Sequence, residues 1–93
     1  MTVIRKRFLV MGTVQGVGFR HSAARMALKF GVTGWVRNLP DGAVEVHAQG
    51  EREAMEKMEL WLRKGPSTAT VTRLTVLETP PKEGETTFAI RHH

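Results

Sequence analysis

The sequence contains 93 residues, of which 41% are hydrophobic, and this suits one small domain with a single modest core. The absence of cysteine excludes disulfide scaffolds and cysteine-based zinc, redox or nucleophile sites. The net charge of +5 favours an anionic ligand or a nucleic acid, although charge alone does not decide between them. Because the sequence shows no secretory leader and no apolar run of membrane-spanning length, we expect a cytoplasmic protein without membrane association.

Hydrophobic periodicity predicts alternating strands and helices along the chain. In order, they are a strand over 5–11, a helix over 19–30, strands over 33–39 and 43–48, a helix over 51–64, a strand over 71–78 and a short strand over 87–91. Gly31 ends the first helix, and Gly65 with Pro66 ends the second, as is typical of helix C-termini. The run Pro40-Asp41-Gly42 predicts a turn between the two middle strands.

Two amphipathic helices separated by a hairpin indicate an α+β fold. The arrangement predicted is a ferredoxin-like βαββαβ sandwich, an antiparallel sheet of four to five strands with two helices on one face. We expect a single domain over residues 1–91, acting as a monomer. The terminal His92 and His93 are either native residues or the remnant of a purification tag, and we interpret them as a tag remnant.

A glycine-rich loop joins the first strand to the first helix, with the sequence Gly12-Thr13-Val14-Gln15-Gly16-Val17-Gly18-Phe19-Arg20. Glycines at such a turn let successive backbone N–H groups point at one spot, and the helix N-terminus adds unpaired donors. Arg20 adds a planar, permanently charged guanidinium. The loop therefore predicts a phosphate site. The alternative is that the glycines serve only the turn and Arg20 is solvated, since the spacing fits neither nucleotide-binding signature.

A second candidate residue, Asn38, lies near the end of the second strand. Asparagine is disfavoured within strands, so its presence there needs a reason. One interpretation is that Asn38 starts the turn, where asparagine is common. The other is that its amide, which both donates and accepts hydrogen bonds, holds a water molecule beside the phosphate site.

Three motifs together resemble the acylphosphatase family. They are Gly12-x-Val14-Gln15-Gly16-Val17-Gly18-Phe19-Arg20, the run Gly34-Trp35-Val36-Arg37-Asn38-Leu39-Pro40-Asp41-Gly42-x-Val44-Glu45, and Gly65-Pro66-x-x-Ala69-x-Val71. The match is collinear from the first strand to the closing Phe88-x-Ile90. The resemblance implies a ferredoxin-like fold and the hydrolysis of carboxyl-phosphate anhydrides to a carboxylate and inorganic phosphate.

The resemblance also implies roles for individual residues. Arg20 binds the phosphoryl oxygens, and Asn38 holds the attacking water. The remaining phosphate contacts come from the backbone N–H groups of Gln15, Gly16, Val17, Gly18, Phe19 and Arg20. The substrate is a small acyl phosphate, inorganic phosphate is both product and competitive inhibitor, and no cofactor is expected. In some members the terminal carboxylate approaches the catalytic arginine, a contact that a tag remnant would alter.

Other classes of function fit the residues less well. Asp41 is the only aspartate, so a two-metal phosphatase is not expected, and we predict no metal site. We interpret His21 as a surface residue and His47 as structural. A nucleic-acid-binding module needs aromatic side chains exposed on the sheet, and the helical pattern assigns several aromatics to helix faces instead, so we predict no nucleic-acid partner. An anion-binding regulatory domain without catalysis stays open as an alternative.

Overall fold

The computed structural model describes residues 2–93. Its elements are β1 (Val3–Thr13), α1 (Phe19–Phe30), β2 (Thr33–Asn38), β3 (Val44–Glu51), α2 (Arg52–Lys64), β4 (Thr70–Thr79) and β5 (Phe88–Arg91). The predicted bounds of α1 are confirmed, because its apolar stripe is regular and Gly31 caps its end in the left-handed conformation. β1 and β3 are longer than predicted, since pairing with the neighbouring strands extends β1 to Val3 and Thr13 and extends β3 to Glu51.

The five strands form one sheet in the order β4-β1-β3-β2-β5. β1 pairs antiparallel with β3 and β4, and β3 pairs antiparallel with β2. The predicted ferredoxin-like βαββαβ fold is confirmed. The expectation of a wholly antiparallel sheet is wrong, because β5 runs parallel to β2.

The short connection between β4 and β5 explains the parallel pair. The two strands lie at opposite edges of the sheet, about 19 Å apart at the usual strand spacing. Eight residues separate Thr79 from Phe88, and an extended chain of that length spans at most about 28 Å. The connection is therefore long enough to cross the sheet, but it is too short to run back along the length of a strand as well. β5 must start where β4 ends, in the direction of β2.

Both helices pack on one face of the sheet and against each other. Phe19, Ala23 and Ala27 of α1 are buried there, as are Met55, Met58 and Leu62 of α2. The strands contribute Phe8, Val10, Val36, Val44, Val46 and Ala48 to the same core. Burial of each large side chain contributes about 1.5–3 kcal/mol. The rings of Phe19 and Trp61 lie 5.5 Å apart, so the first residue of α1 is held against α2.

The opposite side of the sheet, here called the open face, carries the alternate residues of each strand, among them Arg7, Trp35 and Glu45. The β4–β5 connection is tied to it by two side chains. Arg5 donates to Glu85 at 2.8 Å, and the side chain of Gln49 bonds both the N–H and the carbonyl oxygen of Lys82. Within residues 2–93, neither helix combines the length and the apolar character needed to cross a bilayer.

Candidate active site

The loop between β1 and α1 is curled by two glycines. Gly16 and Gly18 have φ angles of +74° and +77°, in the left-handed region, and Gly18 is the N-cap of α1. Other residues adopt this region at a cost of about 1–2 kcal/mol. A Cβ at either position would meet no atom within 4 Å, so glycine is needed there for backbone conformation and not for space. Such a conformation turns successive N–H groups toward one point.

The N–H groups of this loop are free to bind an anion. The first helical hydrogen bond is donated by Ser22 to the carbonyl oxygen of Gly18, at 3.1 Å. An α-helix leaves its first four N–H groups without helical acceptors, here those of residues 18–21. The first turn of α1 contains no acidic residue, and no side chain caps it. The positive end of the helix dipole is thus uncompensated by the residues of this turn.

Arg20 lies in the first turn of α1 and points its guanidinium at the end of β5. Its Nη1 lies 3.4 Å from the carbonyl oxygen of Arg91 and 3.2 Å from Nδ1 of His92. Within residues 2–93, no carboxylate forms an ion pair with Arg20. The guanidinium keeps donors available for an anionic ligand, since the groups that touch it carry no negative charge.

Arg20 and Asn38 line the same small cavity. The cavity has a volume of about 200 Å³, and its walls are Val14, Gly16, Gly18, Phe19, Arg20, His21 and Asn38. β2 runs beside α1, and this brings Asn38 to the loop although the two residues are eighteen positions apart. Within the described chain the Asn38 side chain makes no hydrogen bond, and its amide is therefore available to a bound water.

The turn after β2 does not use the Asn38 side chain. Leu39 and Ala43 close it through a 2.8 Å backbone hydrogen bond, and the carboxylate of Asp41 accepts from the Ala43 N–H at 3.0 Å. Asp41 is therefore the side chain that shapes the turn. The interpretation of Asn38 as a turn-starting residue loses its support.

Two side chains, for which the sequence predicted no such role, hold the loop in place through hydrogen bonds. Nε2 of Gln15 donates to the carbonyl oxygens of Leu39 and Ala43, at 2.7 and 2.9 Å, and so ties the loop to the hairpin that carries Asn38. The hydroxyl of Thr68 donates to the carbonyl oxygen of Val17 at 2.7 Å. Because these contacts join distant parts of the chain, no local sequence signal points to them. They join the loop to the hairpin that carries Asn38 and to the connection before β4.

The open face carries a second group of charged residues, away from this cavity. The carboxylate of Glu45 accepts from Nε of Arg7 at 2.5 Å and from Nε of Arg37 at 2.6 Å. Burial opposes the ionised form of Glu45, but the hydrogen bonds from the two arginines outweigh it, and the pKa of this carboxyl lies below its usual 4.5. Its charge is therefore compensated within the sheet.

His47 and Trp35 stack beside this ion pair, with ring centroids 4.2 Å apart. Burial lowers the pKa of His47 below its usual 6.5, against the opposing charge of Glu45. The guanidinium groups of Arg37 and Arg91 lie over the Trp35 ring, at 5.2 and 4.6 Å from its centroid. Trp35 is thus an aromatic residue on the sheet that the sequence analysis left unassigned, and its ring is already covered by neighbours of this chain.

His21 lies at the rim of the Arg20 cavity, exposed as expected, and the other histidines lie outside that cavity. No group of three or more histidine, aspartate or glutamate side chains among residues 2–93 is placed to hold a metal ion. The cavity therefore offers backbone N–H groups, one guanidinium and one neutral amide. This set of donors suits a phosphoryl group.

Known proteins of one family resemble this chain in sequence and in fold. The acylphosphatase family model matches residues 6–90. The acylphosphatase of Synechococcus sp. (strain CC9311) is 51% identical over 94% of this chain and 96% of its own, and that of Methylococcus capsulatus is 50% identical over 92% and 94%. The crystal structure of acylphosphatase from Bacillus subtilis superposes with a TM-score of 0.91 at 36% identity, covering 96% of this chain and 99% of that one. The chain belongs to the acylphosphatase family, and it is a hydrolase of that kind, as its three motifs predict.

Proposed function

We propose that this acylphosphatase hydrolyses the carboxyl-phosphate bond of acyl phosphates without a metal ion. Arg20 and the backbone N–H groups of residues 15–20 hold the phosphoryl oxygens, and Asn38 orients the attacking water. One observation carries the proposal. Within residues 2–93 Arg20 has no carboxylate partner and the Asn38 side chain makes no hydrogen bond, and both face one cavity at a helix N-terminus without a side-chain cap.

The phosphoryl group is held by charge and by fixed dipoles. Arginine presents a rigid fork that matches two phosphoryl oxygens at once, which an ammonium group does not. The loop N–H groups add donors that need no reorganisation during the reaction. In a loose transition state, negative charge is spread over the phosphoryl oxygens, so donors placed around them stabilise that state.

The leaving group explains why the cavity needs no general acid. The oxygen of the water attacks phosphorus, the bond from phosphorus to the acyl oxygen breaks, and its electron pair leaves on a carboxylate. Because the conjugate acid of that carboxylate has a pKa of about 4, it departs at neutral pH without a proton. The water loses its proton to the newly formed phosphate or to solvent.

The Asn38 amide is suited to position that water. Its oxygen accepts a hydrogen bond from the water and its nitrogen donates one to a neighbouring oxygen. A nucleophile that attacks a metaphosphate-like centre needs little deprotonation beforehand, so orientation replaces a general base. Gln15 supports this role because it anchors the loop to the hairpin on which Asn38 lies.

The proposal is tested by following benzoyl phosphate hydrolysis in the ultraviolet with EDTA present. Wild type, Arg20→Ala and Asn38→Ala are compared with Arg73→Ala, which removes an exposed arginine of β4 as a matched control. We expect hydrolysis by wild type and the control, and losses of about 100-fold or more in the two site variants. Inorganic phosphate should compete in Asn38→Ala, whose phosphate contacts persist, but only weakly in Arg20→Ala.

Three outcomes would contradict parts of the proposal. Loss of wild-type activity in EDTA would show that a metal ion takes part. Retained activity in a folded Arg20→Ala would remove Arg20 from phosphate binding. Loss of phosphate competition in Asn38→Ala would make Asn38 a phosphate ligand instead of a residue that holds the water.

A further inference from the structure

An open groove continues from the phosphate cavity along α1. It has a volume of about 550 Å³ and lies between His21, Ser22 and Arg25 of α1 and the connection over residues 66–68. Gly18 and His21 line both the cavity and the groove, so a ligand that fills the cavity has the groove as its neighbour. Val17 and Gly18, whose N–H groups are proposed to bind phosphate, line its near end, and the rest of the groove is used neither by the proposed phosphate contacts nor by the proposed water position.

We propose that this groove, here called the acyl groove, receives the acyl part of the substrate, and that Arg25 selects acyl groups carrying a second anionic group. The preferred substrates are therefore acyl phosphates of dicarboxylic acids, or acyl groups that bear another anion at similar distance. This inference rests on the proposed function, because it takes the phosphoryl group to lie between Arg20 and Asn38.

The direction of the reaction leads to the acyl groove. In an in-line displacement the leaving oxygen departs from phosphorus on the side away from the attacking water. Asn38, which is proposed to hold that water, lines the phosphate cavity but not the groove, and no other residue of β2 lines the groove either. The groove thus offers space for the leaving acyl group next to the phosphoryl group, and the residue proposed to hold the water does not line it.

The charges around the groove favour an anion. Arg25 is exposed, and in the described chain it forms no ion pair. Residues 12–40 and 60–77, which supply all the walls of the groove, contain no aspartate or glutamate, whereas they contain seven arginines and lysines. The substrate's second anionic group therefore meets no competing carboxylate from these segments.

The reach of Arg25 sets the size of the acyl group. Its Cα lies seven residues beyond the N-cap Gly18, or about 10 Å along the helix axis. Helical side chains lean toward the N-terminus, so the exposed guanidinium of Arg25 is able to reach back toward the phosphate loop. We therefore expect the acyl group to be a short dicarboxylic chain or a single aromatic ring with a carboxylate opposite the acyl phosphate.

The test compares 4-carboxybenzoyl phosphate with 4-methylbenzoyl phosphate. The two substrates have nearly the same shape, and neither can cyclise, so the ratio of their kcat/KM values isolates the effect of the second charge. Wild type is compared with Arg25→Gln and Arg25→Glu. Lys29→Gln is the matched control, since Lys29 is an exposed cation one turn further along α1 and does not line the groove.

We expect Arg25→Gln to lower this ratio about three- to fivefold, as for loss of one exposed ion pair, and Arg25→Glu to lower it about tenfold. The wild-type ratio should fall as salt rises, because salt screens an exposed pair. Lys29→Gln should leave the ratio within about 1.5-fold of wild type.

An unchanged ratio in both Arg25 variants, or an equal fall in Lys29→Gln, would overturn the role of Arg25. If that result is found while Arg20→Ala still loses activity on 4-methylbenzoyl phosphate, the role of the acyl groove is refuted and the phosphate site is not. If Arg20→Ala keeps wild-type activity on that substrate, the phosphate site is refuted, and the inference about the groove falls with it.

Discussion

Two regions of this molecule use arginine in opposite ways. On the open face, Arg7 and Arg37 both bond the buried carboxylate of Glu45, and the group is compensated within the chain. At the cavity that Arg20 and Asn38 line, the hydrogen-bond contacts of the Arg20 guanidinium within residues 2–93 are a carbonyl oxygen and an imidazole. All three arginines carry the same permanent charge. What separates them is the presence or absence of a carboxylate supplied by the protein.

Under the proposed function, this difference in pairing separates the binding arginine from the structural ones. The buried carboxylate of Glu45 needs a cationic partner, because an unpaired buried charge is costly, and Arg7 and Arg37 supply it. An arginine meant for an anionic ligand must lack a carboxylate partner, because an internal carboxylate would compete with the ligand. Charge balance around each arginine is therefore more informative than the number of arginines, which the composition already provides.

The largest effect is expected from substitutions that keep the positive charge of an arginine but remove its planar guanidinium. Arg20→Lys should lower kcat/KM for benzoyl phosphate about 100-fold, or about 2.7 kcal/mol, because an ammonium group cannot contact two phosphoryl oxygens in one plane. Arg37→Lys is the control and should stay within about twofold of wild type, since it lies on the open face. Similar losses in the two variants would mean that overall charge, and not the Arg20 fork, supports catalysis.

A substitution that removes charge and keeps shape tests the group of Glu45, Arg7 and Arg37 on the open face. Glu45→Gln keeps the shape of the side chain but leaves Arg7 and Arg37 without their carboxylate, so the free energy of unfolding should fall by about 2 kcal/mol. The activity of the folded variant should change little. Urea unfolding followed by tryptophan fluorescence measures the first effect, and the benzoyl phosphate assay measures the second. A stable but inactive variant would contradict the separation of the two regions.

The smallest effect expected is a pH dependence of stability that comes from the open face. Glu45 and His47 both have folded pKa values below their usual ones, so the unfolded chain binds more protons than the folded chain as pH falls. Stability from His47 is present above about pH 6.5 and declines below it. Stability from Glu45 is present above about pH 4.5 and is lost below it.

Thermal unfolding at a series of pH values checks this sign. The melting temperature should decline slightly from pH 7 to pH 5 and more steeply below pH 4.5. His47→Gln should remove the first decline and keep the second. A melting temperature that rises as pH falls from 7 to 5 would contradict the direction of the shift at His47.

Local signals account for the parts of the fold that were predicted well. Gly31 ends α1 in the left-handed conformation, and the regular stripe of Phe19, Ala23 and Ala27 gives that helix its buried face. Asp41 lies in the turn where the Pro40-Asp41-Gly42 run predicts one. These features depend on a few neighbouring residues, so the sequence is sufficient to predict them.

Features that depend on distant parts of the chain were not predicted. The parallel pairing of β5 follows from the length of a connection measured against the width of the finished sheet. The Gln15 and Thr68 contacts join residues between 24 and 51 positions apart. Likewise, alternation along β3 predicts that Glu45 and His47 share a face, but only the register of the neighbouring strands brings the two arginines to Glu45.

The interior position of β1 in the sheet has a consequence for synthesis. This strand is made first, yet its second pairing partner, β4, is complete only about 65 residues after Thr13. At ribosomal rates of about 5–20 residues per second, an edge of β1 stays unpaired for several seconds. Unpaired strand edges recruit other chains, and the consecutive cations Arg5, Lys6 and Arg7 repel a second nascent copy. We therefore expect residues that later form ion pairs in the folded protein to lower aggregation before the sheet exists.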